Sequence, residues 1–293
     1  LDVKTDYAFK KVFGSENSKS ILISFLNAII YFDRKHKIKD LTIVDPYNIP
    51  MIKGVKDTFV DVKALLDDDT KVIIEMQVLN HKGFEKRILY NAAKNYSLQL
   101  NKNDDYHLLN PVIALSIVDF TMFEDTKEVI SNFKLLEKEQ LINYSDDIEL
   151  IFVELPKFNK ELEDLQNIKE QWIYFVKNAG SLEYIPNSIN EEIKKALESV
   201  NEAKMTKDEL EAQQKRKEFI SIQRLAILKA DEDGFEKGME KGREVGIQEG
   251  IEKGIQEEKL NIAKNSIAQG LDNKTISLIT GLDIGAIEKI RGF

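Results

Sequence analysis

Apolar residues recur at helical spacing from Asp6 to Ile30, with Phe9, Val12, Phe13, Ile21, Leu22, Phe25, Leu26 and Ile29 in phase. Gly14 to Ser18 predicts a break, so the segment reads as one or two helices. Three stretches rich in Val, Ile and Phe follow, LTIVDPYNI, DTFVDVKALL and KVIIEMQVL, and the last two, separated by DDDT, predict a hairpin. Phe84, Ile88, Leu89, Ala92, Ala93, Tyr96 and Leu100 return to the helical period, HLLNPVIALSIVDF reads as a buried strand, and IELIFVEL as another. Strands interrupted by one helix and flanked by others argue for a mixed α/β layer rather than a β-sandwich.

Beyond Pro156 the pattern is helical throughout, with Leu162, Leu165, Trp172, Phe175 and Val176 in phase, then Ile193, Leu197 and Val200. Residues 201–231 are strongly charged and predict an exposed helix or linker. Gly234, Gly238, Gly242, Gly246, Gly250 and Gly254 then fall every fourth residue beside Ile247, Ile251 and Ile255. Each glycine inside a helix costs about 1 kcal/mol relative to Ala. The repeat therefore predicts either a docking helix that makes homo-oligomers or a charged linker, and its Glu and Lys residues exclude a bilayer. The end, with Ile276, Ile279, Leu282, Ile284, Ile287 and Ile290 around Gly281, predicts two short helices. With only Lys289 and Arg291 on the second, a helical hairpin fits better than a base-reading helix-turn-helix.

Composition narrows the chemistry. Of 293 residues, 42% are hydrophobic and 32% charged, as in a globular protein with a charged surface. No run is apolar enough to span a membrane, the opening LDVKTDYAFKKVFG has no signal-type core, and a cytoplasmic location is expected. The chain has no cysteine, and His36, His81 and His107 lack metal-ligand spacing, so any metal is held by oxygen. Residues 1–110 carry 17 Lys and Arg against 15 Asp and Glu, a net of +2, so residues 111–293 carry −11 and the whole chain −9. A locally basic groove in the first part remains open.

Alternation puts Asp61 and Lys63 on one face of their strand, with Val60, Val62, Ala64 and Leu66 on the other, and Glu75 and Gln77 on the mixed face of the next strand. If Asp67 to Asp69 form a three-residue turn, Asp61 lies directly across from Glu75. Opposed like charges destabilise an antiparallel pair by up to about 1 kcal/mol. A shared proton, Lys63 or Lys71, or a hard divalent cation offsets this; the last would suit phosphodiester hydrolysis. The bland alternatives are a solvated, lysine-neutralised sheet face, a surface amide at Gln77, and an ordinary helix N-terminal acid at Asp6.

The segments TDYAFKKVFG, VDVK, IEMQV, RILYNAAKNYSLQL, the EKG repeat and ITGLDIGAIEKI together resemble the recombination-promoting nuclease family, a transposase branch of the PD-(D/E)xK nuclease superfamily. The resemblance implies a restriction-endonuclease-like mixed sheet over residues 1–158, a helical region over 159–230, the Gly-repeat segment over 231–258 and a small helical end over 259–293. It implies a Mg²⁺-dependent DNA endonuclease of low sequence specificity, with Mn²⁺ or Ca²⁺ able to substitute in binding, acting in recombination, mobile-element biology or defence. Asp61, Glu75 and the Met76 carbonyl would hold the metal, Gln77 would orient water, and Asp6 would hold a metal-bound water. Arg87, Tyr90 and Tyr96 match a helix that would face the DNA backbone. Gln77 departs from the superfamily lysine, with Lys63 as a candidate substitute for its charge. That departure keeps open a catalytically silent scaffold that binds DNA or protein.

Overall fold

The computed structural model describes residues 1–48, 58–182 and 189–292. The ends of two expected strands, at Ile49 and Asp57, lie outside the described residues. The chain forms two compact units, Leu1–Arg224 and Leu225–Phe293.

In the first unit, helix α1 (Asp6–Phe13) and helix α2 (Lys19–Ile29) are separated by Gly14 and a short 3₁₀ turn. Strands β1 (Leu41–Val44), β2 (Tyr47–Asn48), β3 (Thr58–Phe59), β4 (Val62–Leu66) and β5 (Lys71–Gln77) follow, then α3 (Phe84–Ser97). β6 (Val112–Val118), β7 (Ile130–Leu136) and β8 (Asn143–Glu154) complete the strands, and α4 (Ile168–Asn178) and α5 (Glu191–Ser199) follow. The main sheet has the order β1-β4-β5-β6-β8-β7, while β2 and β3 pair separately. β5, β6 and β8 are parallel, and the outer strands are antiparallel to their neighbours.

Helices cover both faces of this mixed sheet, which explains why all seven residues of β6 are buried, since a central parallel strand has no solvated side. One face packs Val62, Ala64, Leu66, Val72 and Ile74 against α1, α2, α4 and α5. At its centre Trp172 sits within 5.9 Å, centroid to centroid, of the rings of Phe13, Phe25 and Phe175, with its indole N–H donating to Ser24 Oγ at 3.2 Å. The other face packs Ile73, Val112, Ala114 and Phe152 against Phe84, Ile88 and Ala92 of α3. Gly83, at φ +87°, turns the chain from β5 into α3 through a conformation that side chains disfavour.

The structure departs from the sequence expectation at two strands. β7 was absent from the predicted elements, because ISNFKLL is mostly exposed and lacks the continuous apolar run of the central strands. Val60 was expected beside Val62 and Ala64; it packs instead on the α3 side with Ile73. The cause is a bulge. The Asp61 N–H donates to the carbonyl of Ile74, the residue already across from Val62, so two successive residues share one partner and the alternation flips.

Helix α6 (Lys207–Ala268) begins in the first unit, and the unit boundary falls within it. Its first turns are tied down by polar contacts. Thr5 Oγ1 donates to buried Gln213 Oε1 at 2.9 Å, Lys11 pairs with Glu209 at 2.9 Å, and Tyr7 donates to the same carboxylate.

In the second unit, α7 (Asn273–Thr280) and α8 (Ile284–Arg291) pack Ile276 and Ile287 on Ala263 of α6. Asp272 and Asp283 cap their N-termini, and Gly281 takes the left-handed turn between them. The six repeat glycines lie within α6, and a side chain added at any of them would meet nothing within 4 Å among the described residues. Among the described residues, no helix is long and apolar enough to cross a membrane.

Because Trp172 is fully buried among three aromatic rings, Trp172→Ala is expected to lower the unfolding free energy by about 3–5 kcal/mol. Urea denaturation followed by far-UV circular dichroism reads this loss, and a change under ~1 kcal/mol would mean that the ring cluster is not the centre of the core.

Candidate active site

The bulge that displaces Val60 also decides where Asp61 goes. Register alone would set Asp61 across from Glu75; instead Asp61 stands at the bulge, and its side chain takes over a ladder contact. Asp61 Oδ2 accepts from the Met76 N–H at 2.8 Å. This carboxylate and that of Glu75 line one cavity of about 280 Å³, together with Asp6, Gln77, His81, Arg87 and Arg216.

Each acid has a defined set of partners. Asp61 Oδ1 lies 3.7 Å from Lys10 Nζ, a residue one helical turn beyond Asp6 on α1. Glu75, only 7% exposed, accepts from Asn91 Nδ2 at 2.5 Å and from Arg87 at 3.1 Å. Burial pushes the Asp61 carboxyl up from its ordinary pKa, with the Met76 N–H and Lys10 opposing and Asp6 adding to the rise. Burial likewise raises Glu75 against the pull of Arg87 and Asn91, and the neighbouring charge of Asp61 raises it further. Two desolvated acids that resist ionisation in a polar cavity mark a place where a cation would be welcome.

Gln77 is held at both ends of its amide. Nε2 donates to the Leu79 carbonyl at 2.8 Å, and Oε1 accepts from Arg87 at 2.6 Å. Arg87 thus spans Glu75 and Gln77, while its guanidinium also lies 5.3 Å from the Phe84 ring centre. Asp6 lines the cavity through an ion pair with Arg216 of α6 at 2.9 Å.

The other candidates lie elsewhere. Lys63 does not line the cavity; it is half-buried on β4, and burial together with the charge of Lys71 lowers its pKa. The lysine that pairs with Asp61 is Lys10, at 3.7 Å, which like Lys63 is not among the cavity-lining residues. Tyr90 is 40% exposed outside the cavity lining. Tyr96 packs at the margin of the α3-side core, and burial raises its phenol pKa, with the nearby charge and hydrogen bond of Asp147 adding to the rise.

Sequence reasoning missed Lys10, Asn91, His81 and Arg216. A signal existed for two of them. Asp6 and Lys10 are four residues apart on one helix, and Arg87, Asn91 and Asn95 form a polar row at the same spacing between the apolar positions Ile88 and Ala92. Arg216 had none, because nothing in a charged helix identifies which turn docks.

Among the described residues, no group of three or more His, Cys, Asp and Glu could hold a metal ion. The cavity offers the carboxylates of Asp61 and Glu75 as oxygen donors, with Met76 also in the lining. This set fits a small hard cation that retains most of its water, and fits poorly a metal that needs a full protein cage.

No curated protein and no solved structure matches the chain. A family model described as PD-(D/E)XK nuclease family transposase matches residues 3–230, which span the whole sheet, α3 and the cavity-lining turns of α6. The chain belongs to the PD-(D/E)XK nuclease family transposases.

Proposed function

We propose that this chain is a divalent-metal-dependent DNA endonuclease that hydrolyses phosphodiesters with low sequence specificity, in a recombination, mobile-element or defence setting. The observation that carries this reading is the convergence of Asp61 and Glu75, both raised in pKa by burial, on one polar cavity that also holds Arg87. PD-(D/E)XK nucleases typically use divalent metals. Asp61, Glu75 and the Met76 carbonyl would hold Mg²⁺, with Mn²⁺ and Ca²⁺ as substitutes in binding. When bound, the ion supplies Lewis-acid polarisation and a lowered water pKa.

The chain's own groups do the rest. Asn91 and the Met76 N–H fix the two carboxylates, so little reorganisation is needed when a cation arrives. Arg87 and Lys10 bring positive charge to the place where a phosphate gains negative charge during in-line attack, which compensates for the absence of lysine at position 77. In this role Gln77 orients the guanidinium and not water. Among the described residues no element resembles a base reader, and the exposed Gly-repeat helix is suited to assembly of copies that would cut both strands.

One observation favours a silent scaffold. Both ends of the Gln77 amide are already engaged, so no side chain at that position is free to act on water.

Supercoiled plasmid nicking separates the two readings. Wild type is expected to nick with Mg²⁺ or Mn²⁺ and not with EDTA, while Asp61→Ala and Glu75→Ala each lose about 100-fold or more. Persistent nicking by both variants, or none by wild type under any metal, overturns the proposal. Mg²⁺ at about 100 times its Kd should add about 2.7 kcal/mol of stability, read as a rise in Tm that Glu75→Ala abolishes.

Acid–base linkage gives a test without metal. The raised Asp61 pKa means that its charge destabilises the fold above that pKa, and the penalty disappears as pH falls through it. Asp61→Asn removes the charge and keeps an oxygen for the Met76 N–H. Metal-free melts are expected to show the variant more stable than wild type near pH ~7.5 and equal to it near pH ~3.5. A less stable variant at the higher pH would show that this charge is not a burden.

A further inference from the structure

Beside the acidic cavity lies a second, smaller one of about 190 Å³, and the two share Val78 and Ile220 as a common wall. Their electrostatic character is opposite. The first holds Asp6, Asp61 and Glu75 against Arg87 and Arg216. The second is lined by Lys4, Lys217 and Arg224 together with Asp119 and Asp2, and so has a surplus of one positive charge.

Asp119 is where this surplus is held in check. Its Oδ2 takes Lys4 Nζ at 3.3 Å and Arg224 at 3.2 Å, and the side chain is only 15% exposed. Two cations on one carboxylate leave a net charge unspent. Lys217 adds another, and among the described residues it has no ion-pair partner. The position in the fold fits a ligand as well. Gln77 and Val118, the last paired residues of parallel β5 and β6, lead directly into Val78 and Asp119, and the carboxyl ends of parallel strands are where open α/β sheets bind ligands.

We infer that this second cavity is a phosphate subsite, taking a backbone phosphate of the DNA strand next to the one positioned for hydrolysis at Asp61 and Glu75. The inference deepens the nuclease reading and rests on it for the identity of the strand. Lys4, Lys217 and Arg224 contact the phosphate, and Asp119 holds Lys4 and Arg224 in place while the site is empty. Such contacts fix the register of a strand without reading its bases, in keeping with low specificity. The basic groove sought along residues 1–110 is thus built jointly, with Lys4 from the N-terminus and Lys217 and Arg224 from α6.

Two substitutions with opposite expected signs test it. In the full-length chain, binding of a short fluorescent duplex is measured with Ca²⁺ over a range of KCl concentrations. Lys217→Ala is expected to weaken binding about tenfold and to flatten the plot of log affinity against log salt by about one. Asp119→Asn is expected to tighten binding by a similar factor, an outcome that misfolding would not produce. Wild-type affinity and slope in both variants, or a shift of both in the same direction, overturns the subsite. A rise in Tm with inorganic phosphate that Lys217→Ala removes, without any change in DNA affinity, assigns the cavity to free phosphate and overturns the strand. If plasmid nicking fails while the two opposite shifts appear, the subsite stands and the hydrolytic reading falls.

Discussion

The interaction on which the site depends is the hydrogen bond from the Met76 N–H to the Asp61 carboxylate. A regular hairpin would satisfy that N–H with a main-chain carbonyl and would set Asp61 face to face with Glu75. The bulge replaces the carbonyl with a side chain. It buries a charged group, anchors it to the backbone of the neighbouring strand, and turns Val60 over to pack beneath α3. One extra residue in a strand therefore couples core packing on one face to the placement of a carboxylate in the adjoining cavity.

The surrounding charges follow from that burial. Asp61 and Glu75 have lost much of their hydration, and each is offset by one cation and one neutral donor: Lys10 and the Met76 N–H for the first, Arg87 and Asn91 for the second. Neither arrangement returns the carboxyl pKa to its ordinary value. The residual cost is a local instability that a cation would relieve, a common trade at functional sites, where binding and not folding sets the arrangement of charge.

Much of this was legible in the chain. The break at Gly14, the hairpin through Asp67 to Asp69, α3 and the fully apolar β6 are local patterns, and local patterns are what hydrophobic period and turn chemistry report. The family followed from several segments in a consistent order. The bulge was hidden because strand parity assumes an unbroken ladder, and parity along a strand carries no information about Lys10, which reaches Asp61 from a helix. The docking of α6 was hidden for a different one. Besides Leu210, which packs against the core, its contacts with the rest of the first unit run through the polar side chains Gln213, Glu209, Arg216 and Arg224, so little apolar periodicity marks them in the sequence.

Arg87 bridges Glu75 and Gln77, and this binds two positions into one heritable unit. A lysine at 77 would bring a second cation against the guanidinium and would remove the oxygen that holds it. A neutral residue at 87 would leave Glu75 short of its counter-charge. A change at either position alone therefore leaves a charge or a hydrogen bond unmatched, and a lysine at 77 fits beside Glu75 only together with a change at residue 87.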